Sequence, residues 1–248
     1  MSLFETEALI LRSYNLAEAD KIVVCLSRSA GLIRGVAKNC RKLKNRFGAS
    51  LEPFTLINLT YFEKENQELV SFSQTEILRS RFNLSSDAAV LTGFSYMGDL
   101  LMDFSPPRQA NDNLYRMALA SFEAVAQTPA DLEWVLRYFE VWLLKLEGFL
   151  PDLRQCADCH NAFSGEDAIY LAVDLSLRCL RCSQARGRAI SKSVYQQLRA
   201  TEKLSPAKFA EEAREVPVVT RKELAQLTYQ IISRVLERMP RARPTFAQ

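Results

Sequence analysis

Four cysteines fall into two pairs, Cys156-x-x-Cys159 and Cys179-x-x-Cys182, with nineteen residues between them. A C-x-x-C pair puts two thiolates into one tight turn. Two such turns offer four sulfurs at the corners of a tetrahedron, which suits Zn2+ at about 2.3 Å per bond. An iron–sulfur cluster is the competing metal, because thiolate ligands alone do not exclude it. Four thiolates close the coordination shell and leave no position for water, so the centre reads as structural rather than catalytic. His160, the only histidine, reads as a solvent-facing residue of the first knuckle, with ligation as the alternative. Redox chemistry fits less well, since neither pair follows a strand in a βαβ pattern. The remaining thiols, Cys25 and Cys40, read as small packing groups.

The second chemically pointed stretch is "KNCRKLKNRFGASLEPF", residues 38–54. Arg34, Lys38, Arg41, Lys42, Lys44 and Arg46 crowd together, and no acid occurs from residue 21 through 51. A single-stranded nucleic acid asks two things of a protein: cations that track its phosphates and flat apolar groups that accept its bases. Phe47 stands beside the cations and is the expected stacking residue. Phe54, Tyr61, Phe62 and Phe72 lie nearby, most of them expected in the core. A solvated loop that meets some other polyanion is the alternative.

Certain elements must position these groups. Residues 1–80 carry short runs rich in branched residues, such as "EALILRS" and "DKIVVCLS". "SRSAG" predicts a hairpin with Gly31 at the turn. "PFTLINLTYF" alternates, and "ENQELVSFSQ" predicts a shorter strand. Five strands in about 75 residues suit a small closed barrel. From residue 84 the period becomes helical. Ser85 and Ser86 are candidate caps for a helix through Val90, Phe94, Met97 and Leu101, stopped by "SPP" at 105–107. "NDNLYRMALASFEAVAQ" predicts a second helix. Asp131 is a candidate cap for a third, apolar on most sides, that Gly148 and Pro151 stop. In the cysteine segment "AIYLAVDLSL" reads as ribbon strand, with a turn at Ser164-Gly165. Three further helices follow, then a frayed tail, "PRARPTFAQ".

The chain has 248 residues, 32 basic and 29 acidic, for a net charge of +3. Four thiolates and a dication would bring that to about +1, so a polyanion partner is argued from local clustering and not from the total. "MSLFETEALI" has no basic signal-peptide region, and no apolar run approaches the about 18–20 residues of a membrane helix. The expectation is a cytosolic protein with reduced thiols and no membrane association.

These residues resemble the bacterial RecO family of DNA repair proteins. "TEALILRSYNLAEADKIVVCLSR" and "GLIRGVAK" are similar to the family's opening strands. "KNCRKLKNRFGASLEPF" is similar to its basic loop, and "FEVWLLKLEGFLPDLRQCADC" to its central helix entering the first knuckle. The resemblance implies an α+β protein in four parts: a five-stranded OB-fold barrel (1–80), a helical domain (81–150), an inserted four-cysteine zinc ribbon (151–185), and C-terminal helices packing on the helical domain (186–248). It implies a recombination mediator and not an enzyme, located in the cytoplasm with the nucleoid. Such a mediator binds single- and double-stranded DNA, anneals strands, and works with RecR and single-strand binding protein to load recombinase. On that reading Arg34, Lys38, Arg41, Lys42, Lys44, Arg46 and Phe47 contact DNA, and Cys156, Cys159, Cys179 and Cys182 hold one structural Zn2+. Some family members lack the cysteines, which implies that zinc is not the centre of the activity. Two departures stand out. Asn39-Cys40 replaces a Gly-Ala common in the loop, and Asn tolerates a left-handed turn. His160 replaces the glycine usual after the second cysteine.

Two other function classes stay open at this point. A metal-dependent nucleic-acid-processing enzyme usually needs clustered carboxylates for Mg2+, and here they are scattered. No GxxxxGK[ST] phosphate loop occurs. A pure interaction scaffold would put the function on the helices, where Arg116, Arg137, Arg199 and Arg221 are conceivable receivers of an acidic peptide.

Overall fold

A computed structural model describes residues 2–64, 67–164, 168–240 and 244. Gly165, of the expected Ser164-Gly165 turn, and most of the tail lie outside them. The chain forms two compact units, the first running to Phe122 and the second from Glu123 to Pro240. None of the described helices is long and apolar enough to cross a membrane.

In the first unit five strands close into a barrel: β1 (Ser2–Leu16), β2 (Asp20–Ser27), β3 (Gly31–Ala37), β4 (Leu56–Glu63) and β5 (Val70–Arg79), in the order β1-β2-β3-β5-β4. The long β1 pairs antiparallel with both β2 and β4. A short parallel contact, Gly35 with Val70 and Val36 with Ser71, completes closure between β3 and β5. This is the small five-stranded barrel that the strand pattern predicts and the OB arrangement that the resemblance implies. Gly31 makes the β2–β3 turn at φ +66°, and a Cβ there would meet the Gln109 carbonyl oxygen at 2.0 Å. Inside the barrel, Ala8, Ile10, Val23, Cys25, Ile33, Ile57, Leu59, Tyr61 and Phe72 form one apolar cluster. Burial of each larger aliphatic or aromatic side chain contributes about 1.5–3 kcal/mol.

Helix α1 (Ala88–Phe104) packs beside β1, and α2 (Asp112–Gln127) carries the boundary between the two units. The cap of α1 is Asp87, whose carboxylate accepts from the Ala89 and Val90 N–H groups, and not Ser85 or Ser86. A short 3-10 turn at Phe82–Leu84 shifts the helix start past both serines. Phe54, at the end of the β3–β4 loop, packs on Phe94 and Phe122 with ring centroids 5.3 and 5.7 Å away.

The second unit is built on α3 (Leu132–Leu146), which is buried on most sides as its composition predicts. Asp131 precedes α3 but does not cap it. Its carboxylate instead accepts two bonds from Arg214, at 2.9 and 2.7 Å, a bidentate pairing worth more than one bond to a backbone N–H. Gly148 ends the helix at φ +78°. A three-stranded sheet follows, of β6 (Ile169–Leu171), β7 (Leu177–Cys179) and β8 (Arg188–Ile190), in the order β7-β6-β8. The one-turn α4 (Leu180–Ser183) sits between β7 and β8. Helices α5 (Lys192–Thr201), α6 (Pro206–Ala213) and α7 (Val218–Val235) complete the unit.

Candidate nucleic-acid interface and metal centre

The β3–β4 loop is held in shape by its own polar groups. At its start Asn39 takes φ +59°, and its N–H donates to Asp20 Oδ1 at 2.7 Å. The Arg41 N–H donates to Ala19 O at 3.0 Å, and Arg41 Nη1 to Ala17 O at 3.1 Å. These bonds fasten the loop to the β1–β2 turn. Further on, Asn45 Nδ2 donates to Lys42 O at 2.9 Å, while its Oδ1 accepts from the N–H groups of Phe47 and Gly48.

Arg34, Lys38, Arg41, Lys42, Lys44 and Arg46 are all exposed, and none forms an ion pair among the described residues. The same unit pairs other arginines with acids: Arg12 with Asp99, Arg28 with Asp112 and Arg108 with Glu63. Positive charge is therefore concentrated and uncompensated here among the described residues, which gives this region the potential to attract a polyanion. Leu43, fully exposed between Lys42 and Lys44, is the loop's one large apolar group in solvent.

Phe47 does not fill the role expected of it. It is only 4% exposed and belongs to the barrel's apolar cluster with Cys25, Cys40 and Leu51. The turn that Asn45 holds and Gly48 permits, at φ +54°, directs the ring into the barrel. Arg46 lies over the ring at 4.9 Å and donates to Phe72 O at 3.2 Å, closing that end of the barrel. An aromatic ring gains more from filling an apolar core than from waiting in water for a base. Phe54, Tyr61 and Phe72 are buried as expected, and Phe62 is half-buried. Cys25 and Cys40 are buried, and burial pushes the Cys25 thiol up to about 12, so it is not a nucleophile.

In the second unit the two C-x-x-C turns meet. The first knuckle is a tight hairpin: the Cys156 N–H donates to Asn161 O at 3.0 Å and the His160 N–H to Cys156 O at 3.0 Å. His160 is exposed at φ +58°, the left-handed geometry that favours glycine. The second knuckle runs from the end of β7 into α4. Gly187, at φ +101°, lets the chain return to β8 so closely that a Cβ would meet Leu171 O at 2.4 Å.

The four cysteine sulfurs lie within 4.8 Å of one another, and those of Cys159 and Cys179 are 3.9 Å apart. A tetrahedron with bonds of about 2.3 Å has edges of about 3.8 Å, so the donor set fits a tetrahedral ion. Burial works against ionisation of Cys156, but N–H groups of Cys159, Cys179 and Asp158 outweigh it and bring that thiol down to about 6. The Cys182 thiol donates to the sulfurs of Cys159 and Cys179, which holds its proton on and raises its pKa. Four thiolates this close repel one another unless a cation sits among them.

The arginines named as receivers of an acidic peptide differ in availability. Arg137 is 3% exposed and bound to the fully buried Glu140, so it is not available. Arg199 contacts Leu153 O and Glu202, and Arg221 pairs with Glu133. Arg116 is exposed.

Family models described as "Recombination protein O N terminal" and "Recombination protein O C terminal" match residues 1–81 and 85–244. Among curated proteins, a DNA repair protein RecO from Koribacter versatilis (strain Ellin345) is 33% identical over 171 residues, which is 68% of this chain and 69% of that protein. One from Dehalococcoides mccartyi (strain ATCC BAA-2266 / KCTC 15142 / 195) is 34% identical over 158 residues, 64% of this chain and 61% of that protein. One from Symbiobacterium thermophilum (strain DSM 24528 / JCM 14929 / IAM 14863 / T) is 33% identical over 159 residues, 64% of this chain and 62% of that protein. In the last two cases the matched stretch spans less than two thirds of the relative.

Proposed function

The chain belongs to the recombination protein O family, and from that premise we propose that it is a DNA-binding recombination mediator in DNA repair, acting without covalent chemistry. The observation that carries the reading is a cluster of six exposed cations on an OB barrel, Arg34 on β3 and five in the β3–β4 loop, none in an ion pair among the described residues. Such a cluster neutralises phosphates, and in doing so it releases condensed counterions from the strand. Binding is then strong at low salt and indifferent to sequence. A protein that screens the charge of two complementary strands lowers their repulsion and lets them pair, which is the proposed route to annealing. On this reading the chain binds single- and double-stranded DNA in the cytoplasm, at the nucleoid. It works with RecR and with single-strand binding protein to load recombinase.

The four cysteines hold one Zn2+ in this proposal. With all four positions taken by sulfur, the ion supplies rigidity to residues 151–185 and no reactive water. The four-part organisation, with boundaries near residues 80, 150 and 185, is proposed on the same basis.

The decisive experiment is a titration of labelled single-stranded DNA with the protein at several salt concentrations, with and without single-strand binding protein. The expected result is a log K that falls linearly with log salt, and annealing that persists on coated strands. A salt-independent affinity would overturn the reading.

A further inference from the structure

With Phe47 inside the barrel, the cationic loop offers no exposed ring of its own, and a single strand still has bases to place. The described part of the barrel exposes one aromatic next to those cations. Tyr14, near the end of β1, is 46% exposed and has no hydrogen bond or ring partner among the described residues. Its position follows from the register. Tyr14 pairs with Ile22 of β2, and Ile22 pairs with Val36 of β3. Directly opposed residues share a face, so the three form one row across three strands, about 10 Å long at the usual strand spacing.

This row is on the outside. Gly35, between Arg34 and Val36, faces inward, where a Cβ would strike the Phe72 ring at 2.1 Å. Its neighbours Arg34 and Val36 therefore face outward. Beyond Arg34, the neighbouring outer face of β1–β3 is covered: Val24, Leu26 and Leu32 are buried, Arg12 is tied to Asp99 of α1, and Leu32 bridges to Pro107. Ile22 and Val36 are only half-buried. The open part of the sheet is thus a strip of Tyr14, Ile22 and Val36.

Single exposed apolar side chains are ordinary. This strip differs in what surrounds it. Arg34 lies next to Val36 along β3, with Lys38 just past the strand end, and same-face neighbours in a strand sit about 6.8 Å apart. Arg41 is fastened to the turn that follows β1. The one acid at the strip's end that the loop engages, Asp20, accepts the Asn39 N–H. A ring with an apolar floor and three unpaired cations at its border matches a nucleotide of a single strand, base on the ring and phosphates at the rim. We propose that Tyr14 is the stacking platform of the interface, taking an unpaired base of a single-stranded nucleic acid. The assignment rests on the nucleic-acid reading above.

The test measures binding of the full chain to oligo(dT) and to an abasic oligonucleotide of equal phosphate number, across a salt series. It compares the unmodified protein with Tyr14→Ala and Tyr14→Phe, each first checked for an unchanged melting temperature. The expected result for Tyr14→Ala is a loss of about 5- to 150-fold on oligo(dT). Abasic binding and the salt slope should be unchanged, and Tyr14→Phe should restore oligo(dT) affinity. An equal loss on both ligands, no loss on oligo(dT), or no restoration by phenylalanine would each overturn the stacking role while leaving the cationic interface standing. Absence of salt-dependent binding by the unmodified protein would overturn the interface and the stacking role together.

Discussion

Asn45 holds Phe47 inside the barrel. The Asn45 carboxamide oxygen accepts the N–H of Phe47 at 2.9 Å and that of Gly48 at 2.8 Å, and the ring two residues on fills the apolar cluster. Replacing Phe47 is therefore a change to the core. Phe47→Ala should destabilise the protein by about 3–5 kcal/mol, read as a lower urea midpoint. The folded fraction should bind oligonucleotides with an unaltered salt slope. A fully stable variant with weakened binding would return Phe47 to the interface.

The loop cations act by number. Arg41→Ala, Lys42→Ala and Lys44→Ala together should weaken single-strand binding and flatten the plot of log K against log salt. Each lost phosphate contact lowers the slope by about 0.7, so three lower it by about 2. All three side chains are exposed and the Arg41 N–H keeps its bond to Ala19 O, so the loss of the Arg41 side-chain bond to Ala17 O should lower the melting temperature only slightly. A slope equal to that of the unmodified protein would remove these residues from the interface.

Metal analysis of the purified chain should return one zinc. Stripping it with a chelator should increase protease cleavage within residues 151–185, since little besides short strands and the knuckles organises that segment. Oligonucleotide affinity should hold while the segment loosens. If binding falls in step with metal loss, the centre is not merely structural. If iron is returned, the tetrahedral zinc assignment fails.

Arg137 and Glu140 form a buried pair within α3, with Nη2 to Oε1 at 2.9 Å, and Thr228 donates to the other carboxylate oxygen. Arg137→Met removes the charged partner that α3 gives this fully buried carboxylate and should cost about 3–5 kcal/mol by urea unfolding. Replacing both members with apolar residues should recover most of that loss. A single variant as stable as the unmodified protein would mean the pair is dispensable to the fold.

Much of the fold was legible because the signals are local. Branched residues at period two gave the strands, the C-x-x-C spacing gave the cluster of four sulfurs, and Gly31 and Gly148 sit at left-handed positions where turns were expected. The failures share one cause. Ser85, Ser86 and Asp131 all have cap-forming side chains, and only the helix start or a distant guanidinium decides which of them is used. Phe47 stands among cations in the sequence, but its destination depends on a turn made by Asn45 and Gly48.

By itself, then, the sequence determined which residues could bind phosphate, which could bind metal, and that a small barrel precedes a helical region. These follow from charge, thiol spacing and periodicity along the chain. The tertiary structure alone decided which aromatic meets solvent. Alternation assigns residues to two faces of a strand without saying which face is covered. Barrel closure draws Phe47 inward, and α1 with its following loop shields one stretch of the outer face. Tyr14 is left exposed because that cover stops short of it.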